Sequence, residues 1–227
     1  MAIRQSPKYA NVRGSIVVTP PTTECVSLRE LKQHLRIPVG MEDDDLYLGQ
    51  LIIDATTWIE EQANFALISQ GLKITLDCWP GYHEAWWDGV RQMPVTELQT
   101  AARARVVEIP RYPLISVDTV TVYDEDSNAT AVVIADVFDV DAVSRPGRLS
   151  LKRGATWPIA TRSVNAIEID YTAGYGTSAN DVPAPLRRAV LENAAYLYTH
   201  RGDCTPGEAY AKSGAMNIIN TYRVRQL

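Results

Sequence analysis

The apolar residues of this chain change period twice, from helical to alternating and back to helical, and that order restricts the fold more than any single motif does. Ser27 stands three residues before Glu30, the spacing of a capping box in which each side chain satisfies an orphan backbone donor at a helix start. Leu28, Leu31 and Leu35 then share one face, and Pro38 and Gly40 end the segment. Glu42 to Asp45 precede a second helical pattern, Leu46, Leu48, Leu51, Ile52, Ala55, Ile59 and Ala63, running to about Phe65. From Leu72 the period becomes two, with Leu72, Ile74, Leu76 and Cys78 alternating with Lys73, Thr75 and Asp77. Further strands are predicted over 105–109, 116–123, 131–134, 137–141, 148–152 and 164–171, several of them separated by turn sequences such as Arg145-Pro146-Gly147. After Pro183 and Pro185, Leu186, Val190, Ala194 and Leu197 restore the helical face as far as Arg201-Gly202, and a short helix is expected over 208–220.

Helices, then strands, then helices predict an α+β fold, in which terminal helices form a small helical bundle with a mainly antiparallel β region inserted between them. The expected segments are a flexible arm over 1–24, a helical part over 25–70, the β region over 71–176, a bundle helix over 177–206, and a final helix and tail over 207–227. No apolar run approaches the roughly 18 residues that a membrane-spanning helix needs, so no membrane partner is expected. The first residues lack the apolar core and cleavage site of a secretory signal, and three distant cysteines, Cys25, Cys78 and Cys204, cannot all pair with one another. Synthesis in a reducing cytoplasm follows.

A net charge of -5 argues against a protein that coats nucleic acid, because that affinity comes from many Lys and Arg contacts to phosphate. The pairs Arg103/Arg105, Arg187/Arg188 and Arg223/Arg225 are read as solvated faces. Consecutive acids at 42–45 complement the positive end of a helix dipole and lack the alternating spacing of a calcium loop. Gly174-Tyr175-Gly176-Thr177-Ser178-Ala179 formally fits a dinucleotide fingerprint, but Asn180 to Pro185 separate it from the next helix, so it reads as a turn. His83-Glu84 begins a zinc-protease pattern that Trp87 breaks, and His34, His83 and His200 stand alone. The acidic pairs Asp124/Asp126 and Asp139/Asp141 are explained by turns and strand ends. No catalytic, metal or cofactor residues are assigned, and a non-enzymatic protein is expected.

The order of these pieces resembles the head-to-tail connector, or adaptor, family of tailed bacteriophages and gene transfer agents. VSLRELKQHLRIP and EDDDLYLGQLIIDATTWIEEQAN look like the family's opening helix pair, LKITLDCWP like its strand ending in an aromatic and a proline, and IPRYPLISVDTVTVYDEDSN like its strand and hairpin. IEIDYTAGYG with VPAPLRRAVLENAAYLYTHRG resembles the turn and C-terminal helix, and NIINTYRVRQL resembles the closing tail, with Thr221 where proline is usual. The resemblance implies a virion neck protein, made in a bacterial host, that forms a homo-oligomeric ring, usually a dodecamer. It implies a portal partner on one side, a tail-side stopper or terminator on the other, and a channel through which DNA passes without sequence-specific binding. Tyr222, Arg223, Val224, Arg225, Gln226 and Leu227 form an extended tail suited to reaching the portal or a neighbouring ring, since Tyr and Arg are enriched at binding hot spots, and a flexible C-terminus is the alternative.

The stretch CWPGYHEAWWDG, residues 78–89, is the densest aromatic segment. Trp79 ends an alternating strand and is expected in the core. Tyr82, Trp86 and Trp87 lie on a long connection, where such rings serve a subunit or tail contact. The alternative is a carbohydrate-binding virion module that uses the aromatic loop over 79–87, and a third reading is an enzyme with a dispersed site.

Overall fold

The structure is a computed structural model and describes residues 12–80 and 105–223. The chain divides into two compact units, one from Met1–Thr19 and Gly71–Thr172, the other from Pro20–Gln70 and Ala173–Leu227. The first holds most of the strands and the second most of the helices. The described residues are thus α+β.

In the β unit, five strands lie in the order β1 (Val12–Thr19), β2 (Gln70–Leu76), β8 (Ile167–Ala173), β4 (Leu114–Tyr123) and β5 (Ala129–Ala131). A second sheet has the order β3 (Val106–Ile109), β7 (Gly147–Leu151) and β6 (Phe138–Asp141). The β1–β2, β4–β5, β3–β7 and β6–β7 pairs are antiparallel. Alternation read from sequence becomes alternation in burial. Leu72, Ile74 and Leu76 of β2 are buried, as are Ile167, Ile169, Tyr171 and Ala173 of β8, with half-buried Lys73, Thr75, Glu168, Asp170 and Thr172 between them. On that polar face Lys73 Nζ donates to Glu168 Oε2 at 2.8 Å and lies 3.6 Å from Asp170 Oδ1, which raises the lysine pKa.

Two elements of the β unit differ from expectation. Residues 12–19, read as part of a loose arm, form β1, with Val17 opposite Leu72 and Ile16 opposite Lys73. The β-branched run Ile16-Val17-Val18 favours an extended backbone, and an open edge on β2 supplies its hydrogen bonds. The strand expected over 131–134 stops at Ala131, and Ile134–Val137 turns into α3, a single helical turn leading into β6. Its apolar residues fit either structure, because so short a run carries no period.

In the helical unit, α1 (Leu28–Leu35) carries the full capping box: the Ser27 backbone N–H donates to Glu30 Oε2 at 2.8 Å, and the Glu30 N–H donates to Ser27 Oγ at 3.3 Å. Arg36 and Asn64, both at φ 60°, close α1 and α2 (Asp45–Ala63) in the left-handed conformation, with the Asn64 N–H bonded to the Glu60 carbonyl. Helix α4 (Ala184–Thr199) packs against α1, α2, α5 (Pro206–Lys212) and α6 (Ala215–Tyr222). Its buried face, Leu186, Ala189, Val190, Asn193, Ala194 and Leu197, follows the helical repeat, and its alanines let neighbours approach closely. The single helix expected over 208–220 is two helices. Thr205 forms a capping box with Glu208 and starts α5 at Pro206, and Gly214 at φ 89° breaks the chain before α6.

Candidate functional site

The sequence placed partner contacts at the C-terminal tail and the aromatic loop. At the tail, Tyr222 ends α6 half-buried, and exposed Arg223 closes the helix with its N–H bonded to the Ile219 carbonyl at 2.9 Å. Arg223 is close enough to Tyr210 to oppose, electrostatically, the burial that raises the Tyr210 pKa. Val224, Arg225, Gln226 and Leu227 lie outside the described residues, as do Tyr82, Trp86 and Trp87.

Trp79 is described, and it is core. It is 3% exposed, stacks on Trp157 with ring centroids 4.6 Å apart, and packs against Phe138 at 5.6 Å. Its indole N–H donates to the Pro158 carbonyl at 2.8 Å. A ring held on its face and bonded at its only donor offers nothing to a sugar.

The glycine-rich turn does structural work. Gly174 has φ 142°, and a Cβ there would come within 2.5 Å of the Ser69 nitrogen. The Ser69 N–H donates to the Gly176 carbonyl at 2.8 Å, and the Tyr175 N–H donates to the Leu67 carbonyl at 3.1 Å. A short 3₁₀ turn, Ala179–Asp181, capped by Ser178, then intervenes before α4. The glycines seat one chain segment against another and leave α4 to begin elsewhere, so the pyrophosphate geometry of a dinucleotide site is not built.

Two of the four acids at 42–45 are committed to side chains. Asp45 pairs with Lys32, whose buried ammonium also donates to the Met41 carbonyl at 2.8 Å. Asp44 accepts from the Tyr198 hydroxyl at 2.7 Å and lies 3.1 Å from Arg201 Nη2, so its pKa falls, chiefly through the tyrosine bond and then through arginine. The Arg201 guanidinium sits over both the Tyr47 ring, at 4.3 Å, and the Tyr198 ring, at 4.4 Å. This clamp ties the start of α2 to the chain just beyond α4. Sequence reasoning missed it because its two halves are separated by about 150 residues and neither has a local motif.

Reactive groups are few. The Cys25 thiol is buried beside Thr56 Oγ at 3.7 Å, and burial pushes its pKa up to about 12, which keeps it protonated and a poor nucleophile. Neither Cys78 nor Cys204 forms a disulfide among the described residues. Among the described residues no group of three His, Cys, Asp or Glu side chains is placed to hold a metal ion, and no helix is long and apolar enough to cross a membrane.

No family model matches the sequence, and no curated protein matches it significantly. Solved structures do match in fold. A chain from the neck of an empty GTA particle computed with C6 symmetry superposes with a TM-score of 0.72 at 24% identity, over 95% of this chain and 98% of that one. A chain from the virion of a native gene transfer agent (GTA) particle gives 0.70 at 24% identity, over 94% and 97%. A third, from the neck of a native GTA particle computed with C12 symmetry, gives 0.69 at 24% identity, over 95% and 98%.

Proposed function

We propose that this chain is a structural neck protein of a gene transfer agent or tailed-phage particle, acting as the connector ring between portal and tail. The observation that carries the reading is the near end-to-end fold likeness, 95% of this chain on 98% of a neck chain at a TM-score of 0.72. Solved necks of C6 and C12 symmetry favour a homo-oligomeric ring for this chain as well. The commitment of the turn glycines to packing accords with a scaffold.

On this reading the terminal helices act as a rigid bundle in the ring. The tail from Tyr222 to Leu227 reaches the portal or an adjoining ring, Tyr82, Trp86 and Trp87 contact a subunit or a tail-side protein, and DNA passes through a channel that need not be basic. The carbohydrate-binding alternative loses Trp79, one of its rings, to the core.

The test is mass spectrometry of particles from the source followed by cryo-electron microscopy of their necks. A ring of this chain between portal and tail is the expected result. Absence of the chain from purified particles would sink the proposal.

A further inference from the structure

Helix α2 turns one face away from the helices it packs against. Leu48, Leu51, Ile52, Ala55 and Ile59 are buried, while the opposite stripe carries Leu46, 93% exposed, and Ile53, 47% exposed. Between them in the helical repeat lies Gly49, and a Cβ added there meets nothing within 4 Å. Glycine inside a helix sacrifices stability relative to alanine, and no contact among the described residues requires it here. A bare backbone flanked by two exposed aliphatic side chains suits the close approach of another surface.

The charge on this face is one-sided. Helix α2 contains no lysine or arginine, and exposed Asp54 and Glu61 border the apolar stripe without an ion pair among the described residues. The complementary charge lies in the same helical unit, on α1. Exposed Arg29, Gln33 and Arg36 follow one another at helical spacing, and Arg29 and Arg36 form no ion pair among the described residues.

We infer that the open face of α2, centred on Leu46, Gly49 and Ile53, docks on the basic face of α1 in a second copy of this chain. An acidic, apolar face and a separate basic face on one molecule make a heterologous pair, the kind of contact that closes into a ring when repeated at a fixed rotation. The inference deepens the ring-forming reading above and rests on it. It names the two surfaces that meet.

Paired cysteines test it in the full-length chain. Gln50→Cys with Gln33→Cys, both at exposed positions, is expressed in particle-producing cells, and purified particles are oxidised and run on a non-reducing gel. The double variant is expected to give a ladder of covalent multimers, whereas each single variant, which retains the three native cysteines, gives monomer. A chain that is present in particles but stays monomeric when doubly substituted overturns the inference while leaving the neck reading intact. If even the unsubstituted chain is missing from particles, the neck reading fails, and the same oxidation on concentrated purified chain decides the surface: a ladder supports it and monomer overturns it. Gly49→Trp supplies a second readout, since a Cβ there meets nothing within 4 Å and a helix-interior glycine is replaced by a better helix former. Expected are a melting temperature no lower than that of the unsubstituted chain and loss of the chain from particles. Incorporation at the unsubstituted level overturns the inference.

Discussion

The two units bury different chemistry. Every buried charged or amide side chain among the described residues, Lys32, Glu60, Gln70 and Asn193, belongs to the helical unit, whereas the β unit fills its interior with aliphatic and aromatic groups such as Ile74, Ile109, Val120, Leu149 and Trp79. The difference follows from how each kind of element is held in register. A strand that slips by one residue turns its whole apolar set outward, so alternation alone specifies the sheet. Helices can rotate and slide with less penalty, and a buried polar group that finds its partners in only one arrangement selects it. Glu60 illustrates this: its carboxylate accepts from the Leu67 N–H at 2.7 Å and from Gln70 Nε2 at 3.2 Å, fixing the chain that leaves α2 for β2.

The apolar interior of the β unit is the more costly to disturb. Replacing Trp79 by alanine removes a ring stacked on Trp157 and packed on Phe138, and is expected to cost about 3–5 kcal/mol in denaturant unfolding. A loss below about 1 kcal/mol would show that the aromatic cluster is not the anchor of the β unit. On the polar side, Glu60→Leu leaves a buried backbone N–H and the Gln70 amide without their acceptor, with an expected loss of about 2–4 kcal/mol by the same measurement.

Asn193 sharpens the contrast in the opposite direction. It is fully buried on the packed face of α4, and neither its Oδ1 nor its Nδ2 has a hydrogen-bond partner among the described residues. Asn193→Leu exchanges a stranded amide for an aliphatic group and is expected to be neutral or to stabilise by about 1 kcal/mol. Destabilisation beyond about 2 kcal/mol would place Asn193 with Glu60 as a specifying polar group.

The smallest effect concerns acid. Burial pushes the Glu30 pKa up, but hydrogen bonds from the Ser27 backbone and hydroxyl, together with the adjacent Arg187 guanidinium, outweigh it and leave the group below its ordinary 4.5. A depressed carboxylate contributes stability that is complete above the unfolded value and is lost as pH falls through the lower folded value. The pair is partly exposed, so the contribution is about 0.5–1 kcal/mol. Melting curves of the unsubstituted chain and of Glu30→Gln are therefore expected to differ at neutral pH and to converge below pH 4.5. Parallel curves at all pH values would remove Glu30 from the contacts that hold α1.

Much of the helical unit was legible because its signals are local. Ser27 with Glu30 marked the start of α1, and the spacing of Leu186, Val190, Ala194 and Leu197 marked the buried face of α4. Thr205 with Glu208 carries the same capping pattern, and starting the helix at 208 obscured it, although proline is favoured in the first turn of a helix. β1 was hidden for a different reason. Three β-branched residues mark a possible strand, but only an available edge makes one, and that edge belongs to β2, more than fifty residues further on.

By itself the sequence determined the helix, strand, helix order, the cap of α1 and the buried faces of α2, β2 and α4, because periodicity and capping act through neighbours a few residues apart. Only the tertiary structure decided which strands adjoin, why Gly174 has no side chain, what Trp79 stacks on, and that Arg201 closes on Asp44 between two tyrosines. The Trp79 and Asp44 contacts join residues 79 and 154 positions apart, and no local pattern records a partner at that distance because it is the packing of the whole unit that brings the two together.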